Sequence, residues 1–263
     1  VSEEKRERKR TARERIRQQR QQDEDRARRR RTVAAVGVAV GVAGVIGAVG
    51  ALVVNQGGGN TDSGGPVAVP KGAVGKHKTI IPVGSRDAKA TISVFEDFRC
   101  PACGQFEKAF GKTIRNLTDD GKARAEYSIV SFIDSHVGGS GSKKAANAAA
   151  CAQDAGAFED YHRVLYANQP PETDDAFGNK AHLIDLADEV PKLKGDRGFR
   201  RCVDDDHFRK WVARVQKEFT KSSFTSTPTV LLNGKKIHPA GEELTPRRLE
   251  ELVAKANDSS DAG

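Results

Sequence analysis

"FEDFRCPACGQFE", Phe95 to Glu107, places Cys100 and Cys103 two residues apart behind an apolar run. That spacing serves a metal clip, a structural staple or a redox disulfide. Zinc takes four ligands, often as two close cysteine pairs. The other cysteines, Cys151 and Cys202, form no second close pair, and no histidine lies near Cys100 or Cys103 in sequence. No metal and no cofactor is therefore expected. A disulfide across two intervening residues closes little chain entropy, so it makes a poor staple. The flanks favour redox chemistry. "ATISVFEDF" alternates, is rich in β-branched residues and reads as a strand. After it, Phe106, Ala109, Phe110, Ile114 and Leu117 recur at helical spacing. Cys100 then falls at the N-cap and Pro101 at the first helical position, where a missing N–H costs nothing. The partial positive charge and free N–H groups of a helix N-terminus stabilise a thiolate. Such placement lowers a cysteine pKa from about 8.5 toward roughly 3.5–7.5. Cys103 lies one turn on, on the face of Phe106 and Phe110. The expectation is an exposed nucleophile at Cys100 and a buried resolving thiol at Cys103.

Outward from this stretch, "HKTIIPV" and "ARAEYSIVSFI" read as further strands, and strand–helix–strand implies a βαβ unit. Residues 138–222 hold several helical segments and no clear strand. The last of these sets Phe208, Trp211, Val212, Val215 and Phe219 on one face, with Trp211 in the core or on a groove wall. Asp206 is read as its N-cap in preference to a calcium ligand within Asp204–Asp206. "TPTVLLNGKKI" carries Asn233-Gly234 between short apolar runs, a hairpin signal. "TPRRLEELVAKAN" reads as a closing helix capped by Thr245 and ending near Asn257, with 258–263 irregular. The fold class is α/β, with a helical block inserted into it.

The chain has 263 residues and a formal net charge of +8. Residues 1–31 hold fourteen Lys/Arg against seven Asp/Glu, or +7, which leaves +1 for the remaining 232. The body therefore offers no basic surface for nucleic acid. Val33 to Val54 are 22 uncharged apolar residues, enough as a helix of about 33 Å to cross a bilayer core of roughly 30 Å. A cleaved signal peptide usually has a shorter apolar region, of about 7–15 residues, although the small residues near Ala48–Ala51 are compatible with cleavage. The expectation is a retained single-pass anchor over 32–54. Arg26 and Arg28–Arg31 on its N-terminal side keep the 1–31 tail in the cytoplasm and place the rest outside. Residues 55–75, rich in Gly, Ser and Pro, read as a flexible tether.

"FEDFRCPACGQFE", "FEDYHRVLYANQ" and "STPTVLLNGKKI" together resemble the DsbA-like thiol:disulfide oxidoreductases, in their membrane-anchored actinobacterial form, over residues 76–257. The resemblance implies a thioredoxin fold with an inserted helical domain. It also implies a cis Pro228 whose loop lies against the cysteine pair, with Thr227 contacting the substrate backbone. The buried acid that this family often carries six residues before the first cysteine is replaced by Val94. Glu96 shares the face of Val94 and is the candidate proton relay, with a solvated Glu96 as the alternative and Asp97 as the weaker candidate. Ala102 stands where strongly oxidising relatives carry histidine. Cys151 and Cys202 read as a structural disulfide pinning the helical block, as in related actinobacterial members, against the alternative of two free buried thiols. The implied function is extracytoplasmic oxidation of reduced exported proteins, with reoxidation by a VKOR-like or DsbB-like membrane partner. A reductase or isomerase of the same compartment, or a non-catalytic thioredoxin-like binding module, are the competing readings.

Overall fold

The computed structural model describes residues 66–239 and 243–261. The expected membrane span, the basic tail and most of the tether lie outside the described residues. Among the described residues no helix is long and apolar enough to cross a membrane.

Five strands form one mixed sheet in the order β1-β3-β2-β4-β5: β1 (Ile81–Val83), β2 (Ala90–Glu96), β3 (Ala123–Ile129), β4 (Thr229–Leu232) and β5 (Lys235–His238). β2 and β3 are parallel and are joined by helix α1 (Pro101–Asp119), the βαβ unit expected from sequence. β1 pairs antiparallel with β3, and β4 antiparallel with β2. The β4–β5 hairpin turns at Asn233 and Gly234, with φ of 47° and 79°. Both positive values suit the tight turn that Asn-Gly specifies.

The insertion comprises α2 (Phe132–His136), α3 (Gly141–Asp154), α4 (Phe158–Ala167), α5 (Lys180–Ala187), α6 (Arg197–Asp204) and α7 (Arg209–Lys221), with a 3₁₀ turn at Ala176–Gly178. Cys151 on α3 and Cys202 on α6 are joined by a disulfide across a separation of 51 residues, the pairing expected. Trp211 is core, and its indole N–H donates to Lys78 O at 2.7 Å. The final helix, α8 (Pro246–Asp261), is capped by Thr245, whose Oγ1 accepts from Arg248 N.

Four local expectations are corrected. β3 ends at Ile129, and "SFI" turns into α2, because the Asp97 carboxylate takes the Ile133 N–H at 2.8 Å and starts a helix there. Asp206 is not the cap of α7. Phe208 holds that position, while Asp206 sits at φ 48° and its carboxylate pairs with Lys144 and Lys180. α8 runs past Asn257 to Asp261. The tether is fixed over its last part, since Val67, Ala68 and Val69 pack on the core and Lys71 N donates to Asp154 Oδ1 at 2.7 Å.

Arg99 joins the sheet to the insertion. It is 1% exposed, pairs with Asp134 at 2.8 Å and Asp175 at 3.1 Å, and donates to Gly138 O and Glu172 O. The same two carboxylates cap α3. Asp134 accepts from Ser142 N and Lys143 N, and Asp175 from Ser140 N and Gly141 N. Removing one partner of a buried ion network costs about 3–5 kcal/mol because the other charges stay buried. Arg99→Leu is therefore expected to lower the urea unfolding free energy by about that amount. Lys122→Ala, in the exposed pair with Asp120, is expected to leave it nearly unchanged.

Candidate active site

β2 delivers the chain to Glu96, and four residues turn it into α1. Cys100 has extended dihedrals (φ −74°, ψ 117°), Pro101 opens the helix, and Cys100 O accepts from Cys103 N and Gly104 N at 3.0 and 3.1 Å. The Cys100 side chain thus sits where the unpaired N–H groups of the first turn point. Both cysteines are free thiols.

The Thr227–Pro228 peptide is cis, and Thr227 O lies 3.4 Å from Cys100 Sγ, which donates to it. This loop corrects one expectation: Cys100 is 6% exposed, so the residue is largely covered rather than open to solvent. Thr227 is also nearly buried.

The two thiols are driven apart in acidity. A hydrogen bond from the Cys103 thiol, set against burial and aided by Thr227 and the N–H groups of Cys103 and Ala102, lowers Cys100 to about 6. Burial pushes Cys103 well above its ordinary value, and its bond to Cys100 together with the negative charges of Cys100 and Glu96 adds to this. At pH 7 Cys100 is therefore mostly thiolate, whereas Cys103 stays a thiol.

Other groups hold the junction still. Gln169 Nε2 donates to Phe98 O at 2.8 Å and Cys100 O at 2.9 Å. It packs so close to α1 that a Cβ at Gly104 would come within 2.2 Å of Gln169 Oε1, which explains the glycine after Cys103.

Glu96 is 1% exposed, so of the two sequence readings the structure places it inside, and Val94 is buried beside it on the same strand. Its Oε1 is 2.5 Å from His162 Nε2. Asp97 is also buried, but its carboxylate is engaged by the N–H groups of Arg99 and Ile133. Sequence reasoning passed over His162, Arg99 and Gln169. His162 carried a signal: it lies on the buried face of α4 with Phe158 and Tyr166, four residues to either side. Arg99 and Gln169 carried none, since their partners are 35 to 76 residues away in the chain. Among the described residues no group of three or more His, Cys, Asp or Glu is arranged to hold a metal.

An acidic thiolate at a helix start, a buried partner thiol one turn on and a cis-proline loop across them make a site for thiol–disulfide exchange on a thioredoxin fold. A thioredoxin family model matches residues 76–255, and the chain belongs to that family. Within it the chain is DsbA-like. It is 30% identical to the DsbA of Mycobacterium tuberculosis, whose crystal structure in the reduced form superposes with a TM-score of 0.58, covering 70% of this chain and 98% of that one. The oxidised BdbD of Bacillus subtilis matches with 26% identity and a TM-score of 0.56, over 73% of this chain and 98% of that one. Disulfide bond formation protein D of Bacillus subtilis is 29% identical over 158 residues, 59% of this chain and 68% of that protein. The chain is a protein thiol:disulfide oxidoreductase.

Alkylation tests the acidity assignment. The folded pKa of Cys100 lies below its ordinary value, so thiolate reactivity persists as pH falls and disappears only through about pH 6. Iodoacetamide labelling of the reduced protein, read by mass spectrometry, is expected to show a midpoint near 6 at Cys100. Cys103 is expected to remain unlabelled at neutral pH. A Cys100 midpoint near 9 would contradict the assignment.

Proposed function

We propose that the protein oxidises paired thiols of exported proteins outside the cytoplasm. A substrate thiolate attacks Cys100 Sγ of the Cys100–Cys103 disulfide, and Cys103 leaves with the electron pair and takes up a proton. The second substrate thiolate then attacks the substrate sulfur of the mixed disulfide and expels Cys100 as a thiolate. The substrate loses two electrons and the enzyme gains them. Thr227 and Pro228 flank the attacked sulfur and are the backbone contacts for the incoming chain. Glu96 handles the proton of Cys103.

The observation that supports the oxidising direction is the placement of Cys100 at the N-cap of α1, beside the Cys103 thiol, where its pKa is held below the ordinary value while burial raises Cys103. Stabilising the thiolate stabilises the dithiol form, and a stable dithiol makes its disulfide a strong acceptor of electrons. The name of the Bacillus relative, a disulfide bond formation protein, supports the same direction. The Cys151–Cys202 disulfide supports an oxidising compartment. Residues 32–54 serve as the anchor, with 1–31 in the cytoplasm. A VKOR-like or DsbB-like membrane protein returns the pair to the disulfide form. Ala102, where a histidine would acidify Cys100 further, supports a milder poise and keeps a reductase or isomerase as the second reading.

Equilibration with glutathione buffers is expected to give a potential clearly above the roughly −270 mV of thioredoxin. Acid-trapped cells are expected to hold Cys100–Cys103 mostly oxidised. A thioredoxin-like potential with a mostly reduced pair in cells would establish the reductase reading instead.

A further inference from the structure

Cys103 has to lose a proton before it can attack Cys100 Sγ, and has to regain one each time it leaves as a thiolate. It is 0% exposed, so water does not reach the sulfur directly. Burial and the nearby negative charges hold it in the thiol form. Turnover therefore needs a chain of titratable groups between Cys103 and the surface.

Such a chain starts at Glu96, whose charge acts on Cys103 and whose Oε1 is 2.5 Å from His162 Nε2. The imidazole is walled by aromatic rings: Phe98 at 5.5 Å, Tyr127 at 4.9 Å, Phe158 at 5.4 Å and Tyr166 at 5.0 Å between centroids. Those walls fix the ring and keep water from it. Beyond it, side-chain exposure rises outward, from 1% at Glu96 and 4% at His162 to 11% at Glu107 and 34% at Arg115. Glu107 pairs with Arg115 on α1 at 3.8 Å, so the last titratable group of the chain, Glu107, lies beside a partly exposed cation. The Tyr166 hydroxyl is buried without a protein partner, and Tyr166 feels the charges of both Cys103 and Glu96.

We propose that His162 is the positioning and proton-relay residue of this enzyme: Glu96 receives the Cys103 proton, and His162 passes a proton on toward Glu107 and the surface. The route runs in reverse when Cys103 is expelled. The inference rests on the resolving role of Cys103 proposed above. Every charged group facing the imidazole fits this task. Burial alone lowers its pKa, but the charge and bond of Glu96, with Glu107 from α1 and Glu159 from its own helix, raise it overall. Glu107 is itself raised by burial, which makes it a competent acceptor. Tyr127 from β3 and Tyr166 are pushed well up and stay neutral. Asp97 is held by the N–H groups of Arg99 and Ile133.

Oxidised glutathione separates the steps. The Cys100 thiolate attacks one glutathione sulfur, releases a glutathione thiolate and forms a mixed disulfide. Cys103 gives its proton to Glu96 and attacks Cys100 Sγ, and the second glutathione leaves as a thiolate. Two electrons pass from the dithiol to glutathione, and one protein disulfide forms. The whole 263-residue chain in detergent is mixed with oxidised glutathione, quenched with acid and read by mass spectrometry from pH 5 to 10. For His162→Gln, formation of the mixed disulfide is expected to be unchanged. Its collapse at pH 7 is expected to slow by roughly 10-fold or more, short of the 10²–10⁴ of direct general acid–base catalysis because Glu96 remains. The gap is expected to narrow toward pH 10, where rising ionisation of Cys103 lessens the demand on the relay.

Equal collapse rates in the two proteins at every pH, or equal slowing of both steps at every pH, overturn the relay and leave the cysteine roles intact. Absence of a mixed disulfide at Cys100 in the unsubstituted protein, or a collapse that survives Cys103→Ala, overturns those roles and the relay together. Should His162→Gln fail to fold, the unsubstituted protein in D₂O decides. The relay predicts that collapse slows and formation does not, and an unslowed collapse overturns it.

Discussion

The buried pairing of Arg99 with Asp134 and Asp175 is the constraint on which the arrangement depends. Arg99 directly precedes Cys100, so whatever fixes the arginine also fixes the origin of α1. Its two carboxylate partners spend their remaining lone pairs on the first N–H groups of α3, the helix that carries Cys151. One cation therefore ties the end of β2, the start of α1 and the insertion into a single frame. Gln169 adds a second tie, from just after α4 back to the carbonyls of Phe98 and Cys100. The reactive sulfur is positioned by packed helices and not by a free loop.

Within that frame, chemistry is divided by solvation. Cys100 meets helix N–H groups, a neighbouring thiol and the Thr227 side chain, and it ionises readily. Cys103, one helical turn away, is surrounded by apolar side chains and negative charge, and it does not. A difference of a few ångströms in position thus becomes an assignment of roles: one sulfur attacks or is attacked from outside, and the other resolves from within. The Glu96–His162 pair lies behind the buried member, where a proton must be handled without exposing the sulfur.

Much of this was legible in the chain. Cys100-Pro101 after a β-branched run states a strand-to-helix junction in local terms, and Asn233-Gly234 states a hairpin. Glu96 could be assigned a face by alternation but not an environment, because that depends on His162, 66 residues later. "SFI" looked like strand on propensity alone, and the Asp97 carboxylate overrode it from another segment. The near burial of Cys100 was hidden for the same reason, since the covering carbonyl at Thr227 is 127 residues away. Local grammar fixed the junction and the hairpin, whereas polar contacts between distant segments decided burial and relay.

The central claim is that the fold stabilises the Cys100 thiolate and with it the dithiol form. Comparing the urea unfolding free energies of the protein with Cys100–Cys103 reduced and oxidised, and Cys151–Cys202 intact in both, tests this most directly. The folded pKa of Cys100, about 6, lies below its ordinary 9.0, so the stabilisation is complete above pH 9 and is lost as pH falls through about 6. The account predicts that the dithiol form is the more stable at pH 7 and that its advantage shrinks as pH falls from 9 to 6. A disulfide form that is the more stable at pH 7, by an amount that does not change with pH, would contradict it.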